Sequence, residues 1–174
     1  MDANIIYEKP VSGTYPEIHF GGTAGNSMWV LFSDGGLDEW VGIFGHAFGH
    51  CGLMKIQPLA ANRFMIFAGA AIYLVDAGRK ALLESYSDDF LSDAVFDEAR
   101  EQLIVADFIR LRGIRAGSEI WRSKRIALDG IHSLYLTNDQ VGGLAEFEDG
   151  RNEPFVFDCV SHEIICKYRV WWSD

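Results

Sequence analysis

The sequence predicts an all-β fold, or a strongly β-rich α+β one, made of antiparallel hairpins in a meander, propeller-like or sandwich-like, with one short helix at most. Three observations lead there. Apolar residues alternate with period two far more often than with period 3.6. The apolar runs are short, rich in Val, Ile, Phe, Tyr and Trp, and bounded by turn residues. Eighteen glycines against four prolines suit many tight reversals. At 174 residues, 49% apolar and 13% aromatic, the chain is long enough and apolar enough to bury a core, and it reads as a single β-rich domain over 1–174, with 1–26 a looser N-terminal segment.

In chain order, the strands expected are "SMWVLFSD", "RFMIFAG", "AIYLVDA", "EQLIVADFIRLRGI", "EIWRSKRIAL", "HSLYLTN" and "PFVFDCV". The reversals expected are "DGG" at 34–36, "DAG" at 76–78, "RAG" at 115–117, "LDGI" at 128–131 and "EDGRNEP" at 148–154. Asp129-Gly130 between two apolar runs is the strongest hairpin signal, because a type I′ turn needs positive φ at both centres. "DDFLSDAVFDEAREQ" at 88–102 has two readings. Phe90, Leu91, Ala94 and Val95 share a helix face, with acids at its start; equally, residues from Val95 onward make the first strand of a hairpin turning at "DEARE". "GGTAG" at 21–25 lacks the Lys-Ser/Thr of a phosphate loop and reads as a flexible connector.

A faint repeat emerges from the reversals. "YLVDAGRKALLES", "RLRGIRAGSEIWRS" and "FVFDCVSHEIICK" share one shape, centred on Gly78, Gly117 and Ser161, which lie 39 and then 44 residues apart. That spacing is near the ~40–50 residues of a propeller blade.

"IWRSKRIALDGI" (120–131), the preceding "LIVADFIRLRGI", the following "VGGLAEF" and the closing "FVFDCVSHEII" resemble a group of small, functionally unassigned β-rich bacterial proteins. Its pattern is Trp-Arg-Ser, a basic-apolar strand, Asp-Gly-Ile, then a late Phe-x-x-Asp strand. "WVGIFGHAFG" and "AIYLVDAG" are similar to its earlier segments, so the resemblance covers roughly residues 27–167. It implies a β-rich fold and carries no catalytic motif.

Charge bounds the function. The formal net charge is −10, with 8 acids and 5 bases in residues 1–87 and 17 acids and 10 bases in 88–174. Such a field opposes non-specific contact with nucleic acid or anionic lipid. No apolar run reaches the ~18 residues of a membrane helix, and "MDANIIYEKP" lacks the plan of a secretion signal. A cytoplasmic protein is therefore expected, and three widely spaced cysteines (Cys51, Cys159, Cys166) suit its reducing conditions as buried thiols.

Chemistry is sparse. "FGHAFGHC" at 44–51 sets His46 and His50 four residues apart, with Cys51 following. Glycines disfavour the helix that would let both histidines chelate one ion, and in a strand they stand about 13 Å apart, too far to share a zinc. The segment is read as a Gly-rich strand and turn, with no metal and no cofactor. Cys51 with His50, and Cys159 with His162, fall on opposite faces of a strand, so no activated thiol is expected. The bases Arg110, Arg112, Arg115, Arg122, Lys124 and Arg125, with Trp121 among them, are expected to pair with carboxylates.

The reading is a non-enzymatic, macromolecule-binding protein: a bacterial immunity protein that neutralises a basic toxin domain through an acidic face. The candidate partner-binding residues are Asp88, Asp89, Asp93, Asp97, Glu98 and Glu101, or Glu146, Glu148, Asp149 and Glu153. A small β-scaffold or ligand-binding domain is the alternative. A metal-dependent enzyme using His46, His50 and Cys51 is the third.

Overall fold

The computed structural model describes residues 1–11, 13–21, 27–36, 38–49 and 52–166. His50, Cys51 and residues 22–25 of the connector lie outside the described residues, as does the side chain of Cys166. The protein is all-β: sixteen strands and no helix among the described residues. They form four open sheets of four strands each, in two compact units, Met1–Asp89 and Phe90–Asp174.

In the first unit, β1 (Asp2–Ile6), β2 (Glu17–Phe20), β3 (Ser27–Ser33) and β4 (Glu39–Gly45) form one sheet in the order β1-β3-β4-β2. The opening segment, expected to be looser, thus supplies both edge strands. β2 runs parallel to β4, while the other pairings between these strands are antiparallel. β3 shows the alternation read from its sequence, with Met28, Val30 and Phe32 buried. The second sheet is the meander β5 (Met54–Pro58), β6 (Arg63–Ala68), β7 (Ala71–Asp76) and β8 (Ala81–Ser87). Phe20, Phe32, Trp40 and Phe44 of the first sheet meet Phe64, Ile66, Tyr73 and Val75 of the second in one core. Phe32 stacks on Trp40 at 4.2 Å between centroids, an arrangement worth more than its area alone.

The second unit holds two meanders. One is β9 (Asp93–Asp97), β10 (Gln102–Ala106), β11 (Leu111–Arg115) and β12 (Ser118–Arg122). The other is β13 (Gly130–Thr137), β14 (Gln140–Glu146), β15 (Asn152–Asp158) and β16 (Ile164–Cys166). Val95, Ile104 and Leu111 pack with Ile131, Val141, Phe155 and Phe157 in its core.

Residues 88–102 take the hairpin reading. β9 and β10 pair from Gln102↔Asp97 to Ala106↔Asp93, with the turn at 98–101. All five residues of β9 are buried, so no alternation marks it and a helical stripe is mimicked by chance. "LDGI" is not a hairpin. Gly130 opens β13 without positive φ, and the Leu128 and Asp129 amides donate to the Glu146 carbonyl at 3.0 and 3.3 Å. A partner far along the chain overrides the local turn signal. The three repeat centres all hold. Gly78, Gly117 and Ser161 each lie between the third and fourth strands of a meander, beside left-handed Lys80, Ala116 and His162 respectively.

Candidate functional site

Aspartate in this fold is first a turn former. The Asp34 carboxylate accepts the Gly36 amide at 2.9 Å, Asp76 that of Arg79 at 2.9 Å, and Asp97 that of Arg100 at 3.1 Å. Asp107 accepts from Ile109 and Arg110 at 2.8 and 2.7 Å, Asp149 from Arg151 at 3.1 Å, and Asp158 from Val160 and Ser161 at 2.8 Å each. A carboxylate taking amides two or three residues on replaces the bonds a tight reversal leaves unmade. The Ser161 and Val160 amides hold the Asp158 carboxyl below its ordinary range. Six acids of an acidic chain therefore have a part in holding turns.

The first group of predicted partner-binding acids is divided by burial. Asp93 and Asp97 are buried. The Asp93 carboxylate accepts the Ala94 amide at 2.9 Å and, across to β13, the Leu134 amide at 2.8 Å. Asp97 accepts from Gln102 Nε2 and from the Arg100 guanidinium, both at 3.0 Å. Burial alone would raise its pKa, but the Gln102 and Arg100 hydrogen bonds outweigh it and hold the carboxyl low. Both residues are thereby removed from any contact surface. Asp88, which accepts the Tyr86 hydroxyl at 3.1 Å, and exposed Asp89 belong to the first unit. Glu98 and Glu101 sit in the second, at the turn that ends β9.

The second group does converge. Glu146, Glu148, Asp149 and Glu153 surround the β14–β15 turn, but Glu146 pairs with Asn152 on the outer face, whereas Glu153 pairs with buried Ala145 on the core side. Arg151 offsets two of them, its Nε 2.5 Å from Asp149 and its Nη1 3.9 Å from Glu153. The Arg151 main chain and guanidinium keep the Asp149 carboxyl below its ordinary range. Glu146 also belongs to the outer face of this sheet, opposite the core. Register places His132, Leu144 and Pro154 in one row there, and Tyr135, Gly142, Val156 and Ile165 in the next. Tyr135 and Ile165 are 56% and 57% exposed. The Tyr135 ring lies on Gly142, in space that a Cβ would fill. An apolar strip with an aromatic anchor thus ends in an acidic turn.

No sequence signal marked Tyr135, and none marked a polar network in the same unit. Arg100 links buried Asp97 to Asp139 on the β13–β14 turn. Gln102 donates to Asp97 and accepts from Trp121 Nε1 at 3.0 Å, and Trp121 stacks on Phe157 at 5.1 Å between centroids. The Asp97-x-x-Arg100 spacing across a turn is the sequence trace of this network. Beside it, burial and the Asp97 charge push the Cys159 thiol up to about 11. A thiol so raised is protonated at neutral pH, the reverse of an activated nucleophile. The His162 ring lies tilted against Trp121, 5.2 Å between centroids.

The basic strip pairs in part as expected. Arg122 grips Glu119 with two bonds of 2.9 Å, and Arg112 lies 3.6 Å from Asp107. Arg115 and Arg125 also donate to the carbonyls of Arg100 and Ala127, at 2.7 and 3.0 Å. His46 follows β4, its Nδ1 buried without a hydrogen-bond partner. His50 and Cys51 lie outside the described residues, and among those described no three His, Cys, Asp or Glu side chains gather to hold a metal.

No family model and no curated protein matches this chain. Among solved structures it is similar to the extracellular domain of a protein described as a one-component system of B. thetaiotaomicron. That match has 13% identity and a TM-score of 0.46, covering 88% of this chain and 25% of that one. This chain therefore spans about a quarter of the length of the protein it matches.

Proposed function

We propose that this protein is a non-enzymatic binding protein of the cytoplasm, an immunity protein that neutralises a basic toxin domain, and that the outer face of the β13–β16 sheet is its contact surface. One observation carries the reading: Tyr135 and Ile165 form an exposed apolar strip on the face that Glu146 shares, and that strip runs towards Glu146, Glu148 and Asp149 at the β14–β15 turn. Stable interfaces combine a desolvated aromatic core with a polar rim. An acidic rim gives fast, salt-sensitive association with a basic partner and disfavours nucleic acid and anionic lipid. Counted by unit, the charge is even: −5 in residues 1–89 and −5 in 90–174. Selectivity for a partner therefore has to come from local arrangement.

The test is co-expression with the product of the adjacent gene, scored by growth rescue, and pull-down of that product at low and high salt. Tyr135→Ala and the pair Glu148→Lys/Asp149→Lys are expected to weaken association at least tenfold. The pair Glu98→Lys/Glu101→Lys should retain it. Equal retention by all variants would refute this face, and no association at low salt would refute the immunity reading.

A further inference from the structure

We infer that the first unit carries a second, separate binding site, for a small zwitterion of the amino-acid class. It is a groove of about 210 Å³ on the outer face of the first sheet. Register explains why a hollow exists there. His19, Ile43 and Trp29 form one row across β2, β4 and β3, and the next row holds Gly45 and Ser27. Small residues beside a large row leave a depression, walled by the indole and the isoleucine. The Tyr73 hydroxyl donates to the Gly45 carbonyl at 2.7 Å from the core side, fixing the end of β4 that forms the floor.

The lining chooses the ligand. Glu17 and His19 are two apart on β2, so both project to this face. From the segment after β1, the Lys9 ammonium lies over the Trp29 ring, 5.3 Å from its centroid. The groove therefore offers one cation and one carboxylate around an apolar wall. A singly charged guest satisfies one of these and meets repulsion from the other. A zwitterion satisfies both: its carboxylate toward Lys9, its ammonium toward Glu17, its side chain against Trp29 and Ile43. The volume lies below the ~300–1,000 Å³ of sites for drug-sized ligands and suits a small metabolite. None of these residues belongs to the face proposed for a protein partner, so the two readings stand or fall separately.

The test is calorimetric and fluorescence titration of the whole chain with glycine, L-leucine, L-phenylalanine, L-lysine and L-glutamate. Isoamylamine and 4-methylpentanoate serve as controls with leucine's body and one charge each. At least one amino acid should bind saturably, and if it is leucine, each control should bind at least tenfold more weakly. Lys9→Met and Glu17→Gln, both exposed and so expected to fold normally by circular dichroism, should each cost tenfold or more. Tyr135→Ala should leave the titration unchanged. Absence of saturable binding across the panel, or one-charge controls matching leucine, would overturn the inference.

Discussion

Replacing Asp97 with alanine tests whether the polar network holds the second unit together. Three donors lose their acceptor: Gln102 Nε2 and the Arg100 guanidinium, both at 3.0 Å, and the Arg100 amide at 3.1 Å. The Gln102 amide is left buried and unmet, a loss of ~1–3 kcal/mol. A charge-assisted bond is worth ~1.5–3 kcal/mol, but Arg100 keeps Asp139 and is 25% exposed, so the low end applies. The expected loss is about 3–4 kcal/mol, against a total of ~5–15 kcal/mol for a typical domain. With a urea slope of ~2 kcal/mol/M, the middle of the usual range, the midpoint should fall by roughly 1.5–2 M. Trp121 fluorescence reports on the same network. The pH dependence has a definite sign. The folded carboxyl titrates below its unfolded value, so the unfolded chain binds the extra proton in acid. The stabilisation is complete above the ordinary carboxylate range and is lost as pH falls through it towards the folded value. The gap between wild type and Asp97→Asn should therefore close on acidification. A loss below about 1 kcal/mol for Asp97→Ala, or a gap that widens in acid, would show the network to be incidental.

Two glycines should behave differently although a Cβ on either would strike a ring. Gly113→Ala drives into Trp121, which its stack on Phe157 and its bond to Gln102 hold in place, and should cost about 2–3 kcal/mol in thermal or urea unfolding. Gly142→Ala meets Tyr135, which can swing into solvent. It should cost less than about 1 kcal/mol while weakening the partner complex. Cys159, its thiol raised to about 11, should resist iodoacetamide at pH 8 in the folded protein and react on unfolding, as peptide mass spectrometry would show; rapid alkylation of the native protein would contradict the burial. Asp93→Ala removes the acceptor of the Leu134 amide. That amide should exchange faster by NMR, with a stability loss of about 1–3 kcal/mol.

Alternation read from the chain located strands where one face is wet. β3 is the clear instance, and the third-to-fourth-strand reversals at Gly78, Gly117 and Ser161 gave the repeat. It was silent where both faces are covered, as in β9, because a continuous apolar run has no phase. The Asp-Gly turn signal misled at Asp129-Gly130, where distant Glu146 captures the amides a turn would have used. The parallel pairing of β2 with β4 leaves no local trace either, since it depends on a crossover rather than on residue pattern. For the acids the difficulty is chemical. An aspartate that accepts an amide two or three residues ahead and one that faces solvent have the same sequence neighbours. The count of charges therefore overstated the surface available to a partner.

Asp93 connects these points. In β13 Ile131 is buried, so strict alternation would bury Ser133 and Tyr135 and expose Leu134. The opposite is found: Leu134 is 7% exposed and Tyr135 56%. The switch occurs at a bulge between His132 and Tyr135, where Ser133 takes φ +57° and the pairing skips a residue. The bulge withdraws the Leu134 amide from the strand ladder, and buried Asp93 accepts it. Asp93 thus acts on the proposed contact face without reaching it, by sustaining the irregularity that turns Tyr135 outward onto Gly142. If so, Asp93→Ala should weaken the partner complex together with Leu134 protection, whereas Glu98→Lys should alter neither. A variant that loses the Leu134 bond yet binds as wild type would separate the bulge from the interface.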